Sequence, residues 1–155
     1  MAFPEDSMRI LVVEDAQLVR SAIVSLLKTQ PEFEVVGEAE DGVTAVEMAK
    51  NLKCDLVLMD ISLPGINGFS ATRIIRHFVP ECRILFVSQH LNTGMLVEAL
   101  KTGASGYVVK TDVMQDLLNG IRAVSKRKRF LSKSCAELLP DPGESGDFQA
   151  GTSEN

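Results

Sequence analysis

The chain has no tryptophan, one tyrosine and an aromatic share of 5% over 155 residues, so its core is aliphatic. Its longest apolar runs, such as Ile10 to Val13, hold about four residues, far short of the roughly 18 that a membrane span needs. No membrane crossing is expected. Glu5 and Asp6 stand where a secretory signal carries positive charge, and the chain reads as cytoplasmic. Its three cysteines, Cys54, Cys82 and Cys135, are too widely spaced for a CxxC motif and odd in number, so free thiols are expected. No glycine-rich loop ending in Gly-Lys-Ser/Thr occurs, which excludes a nucleotide hydrolase of that class. Basic excess is also missing. Residues 1–135 hold all 16 Lys and Arg and 16 of the 21 acids; residues 136–155 hold the other five acids and no base. Neither part looks like an autonomous nucleic-acid binder.

What is present is a repeated pattern. Arg9–Val13, Leu56–Met59 within a strand Cys54–Asp60, Arg83–Val87 and Gly106–Val109 are short apolar runs without alternation, the mark of strands buried on both faces of a parallel sheet. Phe33–Ala39 alternates in part, which suits an edge. Amphipathic stripes lie between them: Val19, Ala22, Ile23, Leu26 and Leu27; Val43, Val46 and Ala49 after Asp41-Gly42; Ile74, Ile75 and Phe78, ending before Pro80; Leu91, Met95, Leu96, Ala99 and Leu100, stopped by Gly103; and Met114, Leu117, Leu118, Ile121 and Val124. Five strands alternating with five helices predict a parallel α/β sheet with right-handed crossovers and helices on both faces.

The polar residues that end these strands would share one crevice. They are Glu14 and Asp15 after the first, Asp60 after the third, Ser88 after the fourth and Lys110 after the fifth. A single acid in such a place serves equally well as a helix cap or a turn former. Three carboxylates repel one another, and a hard cation with oxygen ligands such as Mg²⁺ relieves that repulsion. An ammonium and a hydroxyl suit phosphoryl oxygens. Transfer of a phosphoryl group to a carboxylate needs little more than positioning and charge neutralisation.

With Glu14-Asp15, Asp60 in MDISLPGINGF, Ser88 and Lys110 in this order, residues 8–130 resemble the receiver domains of two-component response regulators. DISLPGINGF and GASGYVVK are similar to the NarL/LuxR-type subfamily. The resemblance implies a flavodoxin-like fold with strand order 2-1-3-4-5. It implies that Asp60 accepts a phosphoryl group from a histidine kinase, that Asp15, Asp60 and the main-chain carbonyl of Ser62 bind Mg²⁺ with Glu14 beside them, and that Lys110 and Ser88 hold the phosphoryl oxygens. Ser88 and Tyr107 then form the switch, although Tyr107 alone would read as an ordinary half-buried strand aromatic. Ala16 to Arg20 become candidate kinase-docking positions. The only chemistry implied is gain and loss of the chain's own phosphoryl group, so the protein is not expected to be an enzyme acting on others.

Several residues depart from the family pattern. Thr111 follows Lys110 where many receivers have proline, so a cis bond is not expected there. Gln89 follows Ser88 where a small residue is usual. His90 and Ser62 occupy positions that tune autodephosphorylation in the family; as a solvated loop histidine His90 would do nothing, whereas in the mechanistic reading His90→Ala changes the phosphoryl lifetime. A haloacid-dehalogenase-like phosphatase wants a second acid two residues after the aspartate, where Ser62 stands. A non-phosphorylated pseudo-receiver acting as an interaction module is the alternative, and its usual mark is loss of Asp60 or Lys110, both present here.

Residues 1–7 read as a leader. Residues 131–155 read as a short helix, Ser132–Leu139, and an acidic tail too poor in apolar residues to order itself. Lys126–Arg129 reads as a solvated, dipole-compensating helix end rather than a nucleic-acid patch. No helix-turn-helix segment follows, so the chain is expected to be either a single-domain receiver or the receiver and linker of a transcription factor, reaching DNA only through an effector domain. A homodimer is a further expectation.

Overall fold

A computed structural model describes residues 6–138 and 148–151. The chain divides into two compact units, residues 1–84 and 85–155.

In the first unit the elements are β1 (Met8–Val13), α1 (Gln17–Leu27), β2 (Phe33–Ala39), α2 (Gly42–Leu52), β3 (Leu56–Met59) and α3 (Gly68–Phe78). β1 pairs in parallel with β2 on one side and β3 on the other, so its apolar run is covered on every side. Ile10 to Val13 and Leu56 to Met59 are all buried. Each βα crossover returns the next strand to the same direction, which places Glu14, Asp15 and Asp60 at one end of the sheet.

The starts of α2 and α3 are fixed by side-chain caps. Asp41 accepts from the Thr44 N–H at 2.8 Å and from the Thr44 hydroxyl at 3.0 Å, and Asn67 accepts from the Ser70 N–H at 2.9 Å, each satisfying an otherwise orphaned donor. The Thr44 bonds, first backbone and then hydroxyl, hold the Asp41 carboxyl below its ordinary value. Asp41 stabilisation is therefore complete above pH 3.8, its ordinary pKa, and is lost as pH falls through the depressed folded value. Asp41→Ala should lower the thermal midpoint at pH 7 and narrow that difference in strong acid, as read by circular dichroism melts.

The buried face of α1 is rotated from the one the stripe predicts. Arg20, Ile23, Val24 and Leu27 point inward, while Ala22 is exposed. Arg20 lies on that face because its guanidinium reaches the buried Glu14 main-chain carbonyl and acids on and just after β2, described below. In α3 likewise Ile75 is buried and Phe78 is mostly exposed, its ring lying 4.0 Å under the Lys50 ammonium.

The second unit contains β4 (Arg83–Ser88, which begins two residues before the division), α4 (Thr93–Lys101), β5 (Gly106–Val109), a 3-10 turn (Lys110–Asp112), α5 (Val113–Ser125), β6 (Arg129–Leu131), α6 (Lys133–Ala136) and β7 (Phe148–Ala150). β5, β6 and β7 follow β4 in parallel register. β1 to β5 take the order 2-1-3-4-5 within the sheet, with β6 and β7 added beyond β5.

Two expectations are corrected here. The basic run does not merely end α5: Arg129 opens β6, so a boundary at residue 130 would cut a strand. Phe130 and Leu131 are buried, which hides the strand's apolar content behind four cations in the sequence. The tail is not wholly without order either, because Phe148–Ala150 pairs with β6 and the Gly151 N–H bonds the Leu131 carbonyl at 2.6 Å. Strand addition to an open edge uses backbone groups and needs little apolar side-chain area. The rest of the expected tail, residues 139–147 and 152–155, lies outside the described residues, as do residues 1–5 of the leader. α6 is shorter than the predicted Ser132–Leu139. Asp116 accepts from the Lys133 N–H at 2.8 Å and Asp112 from the Ser134 N–H and hydroxyl at 3.0 Å, which holds the start of α6 and gives a partner to two buried acids, one on α5 and one in the turn before it.

Candidate phosphoacceptor site

In the first unit the carboxylates of Glu14, Asp15 and Asp60 each offer an oxygen within 4.8 Å of the others. Glu14 and Asp60 are buried and Asp15 is exposed. Parallel pairing sets the spacing. The Asp60 N–H bonds the Val13 carbonyl at 3.1 Å and the Glu14 N–H bonds Ala39 at 3.0 Å, so the chain ends of β1 and β3 are locked side by side. One Glu14 oxygen accepts from the Ala16 N–H at 3.0 Å, and one Asp60 oxygen from the Ile61 N–H at 2.8 Å.

The loop after Asp60 is held closed by the Gly68 N–H on the Ile61 carbonyl at 2.8 Å. A Cβ on Gly68 would lie 2.1 Å from the Asp60 carbonyl oxygen, so the start of α3 comes this near only because residue 68 lacks a side chain. Ser62, within the loop, is exposed.

Arg20 is the residue of this unit that the sequence did not single out as a site partner. Its guanidinium donates to the Glu14 main-chain carbonyl at 2.7 Å and to Glu38 at 3.0 Å, with Glu40 3.9 Å away. It anchors α1 to the turn that carries the acid pair. A basic side chain inside an apolar stripe was the available signal.

In the second unit Ser88 ends β4 fully buried, and its hydroxyl accepts from the His90 N–H at 3.1 Å. Tyr107 on β5 is 1% exposed, so it is a core aromatic rather than the half-buried one its strand position suggested alone. Its hydroxyl donates to the His90 carbonyl at 2.8 Å. The His90 main chain thus joins Ser88 to Tyr107, a role that no side-chain pattern encodes. The His90 residue is half-buried and Gln89 is exposed. Lys110 opens the 3-10 turn, half-buried, with no cis peptide among the described residues.

Three convergent carboxylates are a donor set for a hard divalent cation, and Mg²⁺, which is satisfied by one or two carboxylates with carbonyl and water oxygens, fits it. The family model for the response regulator receiver domain matches residues 10–122. The chain belongs to that family. This receiver is 37% identical over 127 residues to the transcriptional regulatory protein DegU of Brevibacillus brevis, covering 82% of the chain and 54% of DegU. It spans about half the length of that relative. A LuxR-family two-component response regulator from Aurantimonas sp. SI85-9A1 superposes with a TM-score of 0.82 at 34% identity, covering 84% of the receiver and 94% of that chain. The isolated receiver of RcsB from Salmonella enterica serovar Typhimurium, solved in the presence of the phosphomimetic BeF3-, gives 0.81 at 26% identity, covering 86% and 99%. The fold is flavodoxin-like, and the subfamily is the NarL/LuxR type. No described helix is long and apolar enough to cross a membrane. Response regulator receivers are signalling modules rather than enzymes.

Proposed function

We propose that Asp60 accepts a phosphoryl group from the phosphohistidine of a sensor histidine kinase and that the chain switches its interaction surface in response. The observation that carries this reading is the gathering of Glu14, Asp15 and Asp60 within 4.8 Å at the ends of β1 and β3. Glu14, Asp15, Asp60 and the Ser62 carbonyl would hold Mg²⁺, which when bound neutralises charge at the acceptor. Asp60 supplies the attacking oxygen, and its second oxygen stays fixed by the Ile61 N–H. Lys110 and Ser88 take the phosphoryl oxygens. For Ser88 this means exchanging its bond from the His90 N–H, which is how a local charge event would reach Tyr107 through the His90 carbonyl.

The partners in this reading are a histidine kinase docking near Ala16 to Arg20, of which Arg20 is buried and serves only as the anchor of that surface, a second copy of the chain, and DNA only through an effector domain. The setting is cytoplasmic. The receiver body would run from residue 8 through β6, one residue past the expected boundary at 130. Output as transcription control follows DegU, which is named a transcriptional regulatory protein.

The test is intact mass after incubation with acetyl phosphate. Wild type should gain one phosphoryl group, about 80 Da, only with Mg²⁺, and Asp60→Asn should gain none. A folded wild type that gains nothing from any small donor or kinase would contradict the reading. His90→Ala keeps both main-chain bonds and removes only the imidazole. It should change the dephosphorylation rate several-fold, and an unchanged rate takes the ring out of the mechanism.

A further inference from the structure

Cys54 and Cys82 are 28 residues apart in sequence, and their sulfurs lie 3.6 Å apart in the first unit, both buried. Each stands at the entry to a strand. Cys54 is two residues before β3, and Cys82 directly precedes β4. The backbone on both sides is pinned. Asp55 donates its N–H to the Arg9 carbonyl at 2.7 Å, its side chain accepts from the Arg9 N–H at 2.8 Å, and its carbonyl accepts from the Arg83 N–H at 3.0 Å. The two thiols are therefore held face to face by the sheet and not by chance rotation of loops.

We infer that Cys54 and Cys82 form a peroxide-sensitive dithiol that closes to an intramolecular disulfide. A disulfide needs sulfurs about 2.05 Å apart, so the pair, at 3.6 Å, must close by about 1.5 Å. The roles of the partners differ. The contact between the two sulfurs favours the Cys54 thiolate, whereas that same contact, with burial second, disfavours the Cys82 thiolate. Cys54 also keeps the residual exposure, 3% against 0%.

The Cys54 thiolate attacks one peroxide oxygen; the O–O bond breaks and hydroxide leaves, giving a sulfenic acid. The Cys82 sulfur then attacks the Cys54 sulfur, the S–S bond forms, and the sulfenic oxygen departs with the Cys82 proton as water. In sum, two thiols and one hydrogen peroxide give one disulfide and two waters. Two electrons pass from sulfur to peroxide. Cys135 is the internal control: it is buried, its thiol is pushed up to about 11, mainly by burial, and its contact is a serine hydroxyl.

The resulting loop would enclose β3, Asp60 and α3. The dithiol lies at the start of the four-residue strand β3 and Asp60 at its end, so one short strand would carry two separate chemical inputs. Closing the loop restricts the unfolded chain, and the thermal midpoint of the oxidised form should rise by several degrees.

The test treats the native chain with dilute hydrogen peroxide, quenches, and counts thiols in denaturant beside intact mass and peptide mapping. The expected result is loss of two of the three thiols, a decrease of about 2 Da, a Cys54–Cys82 cross-link within one chain and full recovery with dithiothreitol. In Cys82→Ser, Cys54 should stop at a dimedone-reactive sulfenic acid. Survival of all three thiols, separate sulfinic acids without a cross-link, or a link through Cys135 or between chains would each overturn the inference. The wild-type result decides whether or not the variant folds.

Discussion

Gly68→Ala should both destabilise the protein and cripple phosphorylation, although it adds a single methyl group to a residue with no chemistry. The added Cβ would meet the Asp60 carbonyl oxygen at 2.1 Å, the Ile61 Cα at 2.8 Å and the Asp60 carbonyl carbon at 2.9 Å. All three are backbone atoms of the segment that carries the proposed acceptor, Asp60. No rotamer can relieve the clash, so either α3 moves away or the Asp60–Ile61 peptide rotates. Overpacking of this kind costs about 3 kcal/mol, roughly 10 °C in thermal midpoint for a chain of this size. The site should suffer beyond that cost. Displacing the Asp60–Ile61 peptide breaks the Ile61 N–H bond to the Asp60 carboxylate and shifts Asp60 against Glu14 and Asp15. Phosphorylation at a temperature where the variant is fully folded should be slowed at least tenfold. A wild-type rate would show that the start of α3 does not position the acceptor.

Phe130→Ala should cost about 3–5 kcal/mol, the range for emptying a fully buried aromatic site. The ring sits against α5 at Gly120, where a Cβ would come 2.8 Å from it, and the Phe130 carbonyl sits even closer to Gly106 of β5. Helix, strand and ring form one joint, closed by the Phe130 N–H on the Ser105 carbonyl at 2.9 Å and by the Ser132 N–H on the Tyr107 carbonyl at 2.9 Å. Denaturant unfolding should show the midpoint drop, and a chain ending before β6 should fare no better. An effect under about 1 kcal/mol, the scale of an ordinary surface change, would mean that the residues after 128 hang on the receiver rather than complete it.

How far the sequence foretold this structure depends on which signal each part leaves. Unalternated runs such as Ile10–Val13 and Leu56–Met59 fit little except buried strands, so Glu14, Asp15 and Asp60 could be placed at strand ends from the sequence alone. The strand order came from resemblance to receivers, since periodicity does not say which strands are neighbours. β6 and β7 were missed because three-residue strands carry no period and Arg129 belongs to a run of cations. Arg20 was missed as a core residue because its partners are a main-chain carbonyl and acids on and just after β2. For the same reason Tyr107 could not reveal its bond to the His90 carbonyl. The Cys54–Cys82 contact spans 28 positions and exists only once the sheet is formed, so spacing pointed to free thiols alone.

Among the three neighbouring carboxylates, Asp60 is the one assigned to take the phosphoryl group, and the proposed switch depends on that assignment. Borohydride reduces an aspartyl phosphate to homoserine, a mark that tandem mass spectrometry assigns to a single residue. After phosphorylation of wild type in Mg²⁺, homoserine is expected at position 60 and none at position 15, with Glu14 unchanged. A mark at Asp15, a reduced Glu14, or a phosphorylated chain in which position 60 is still aspartate would contradict the assignment.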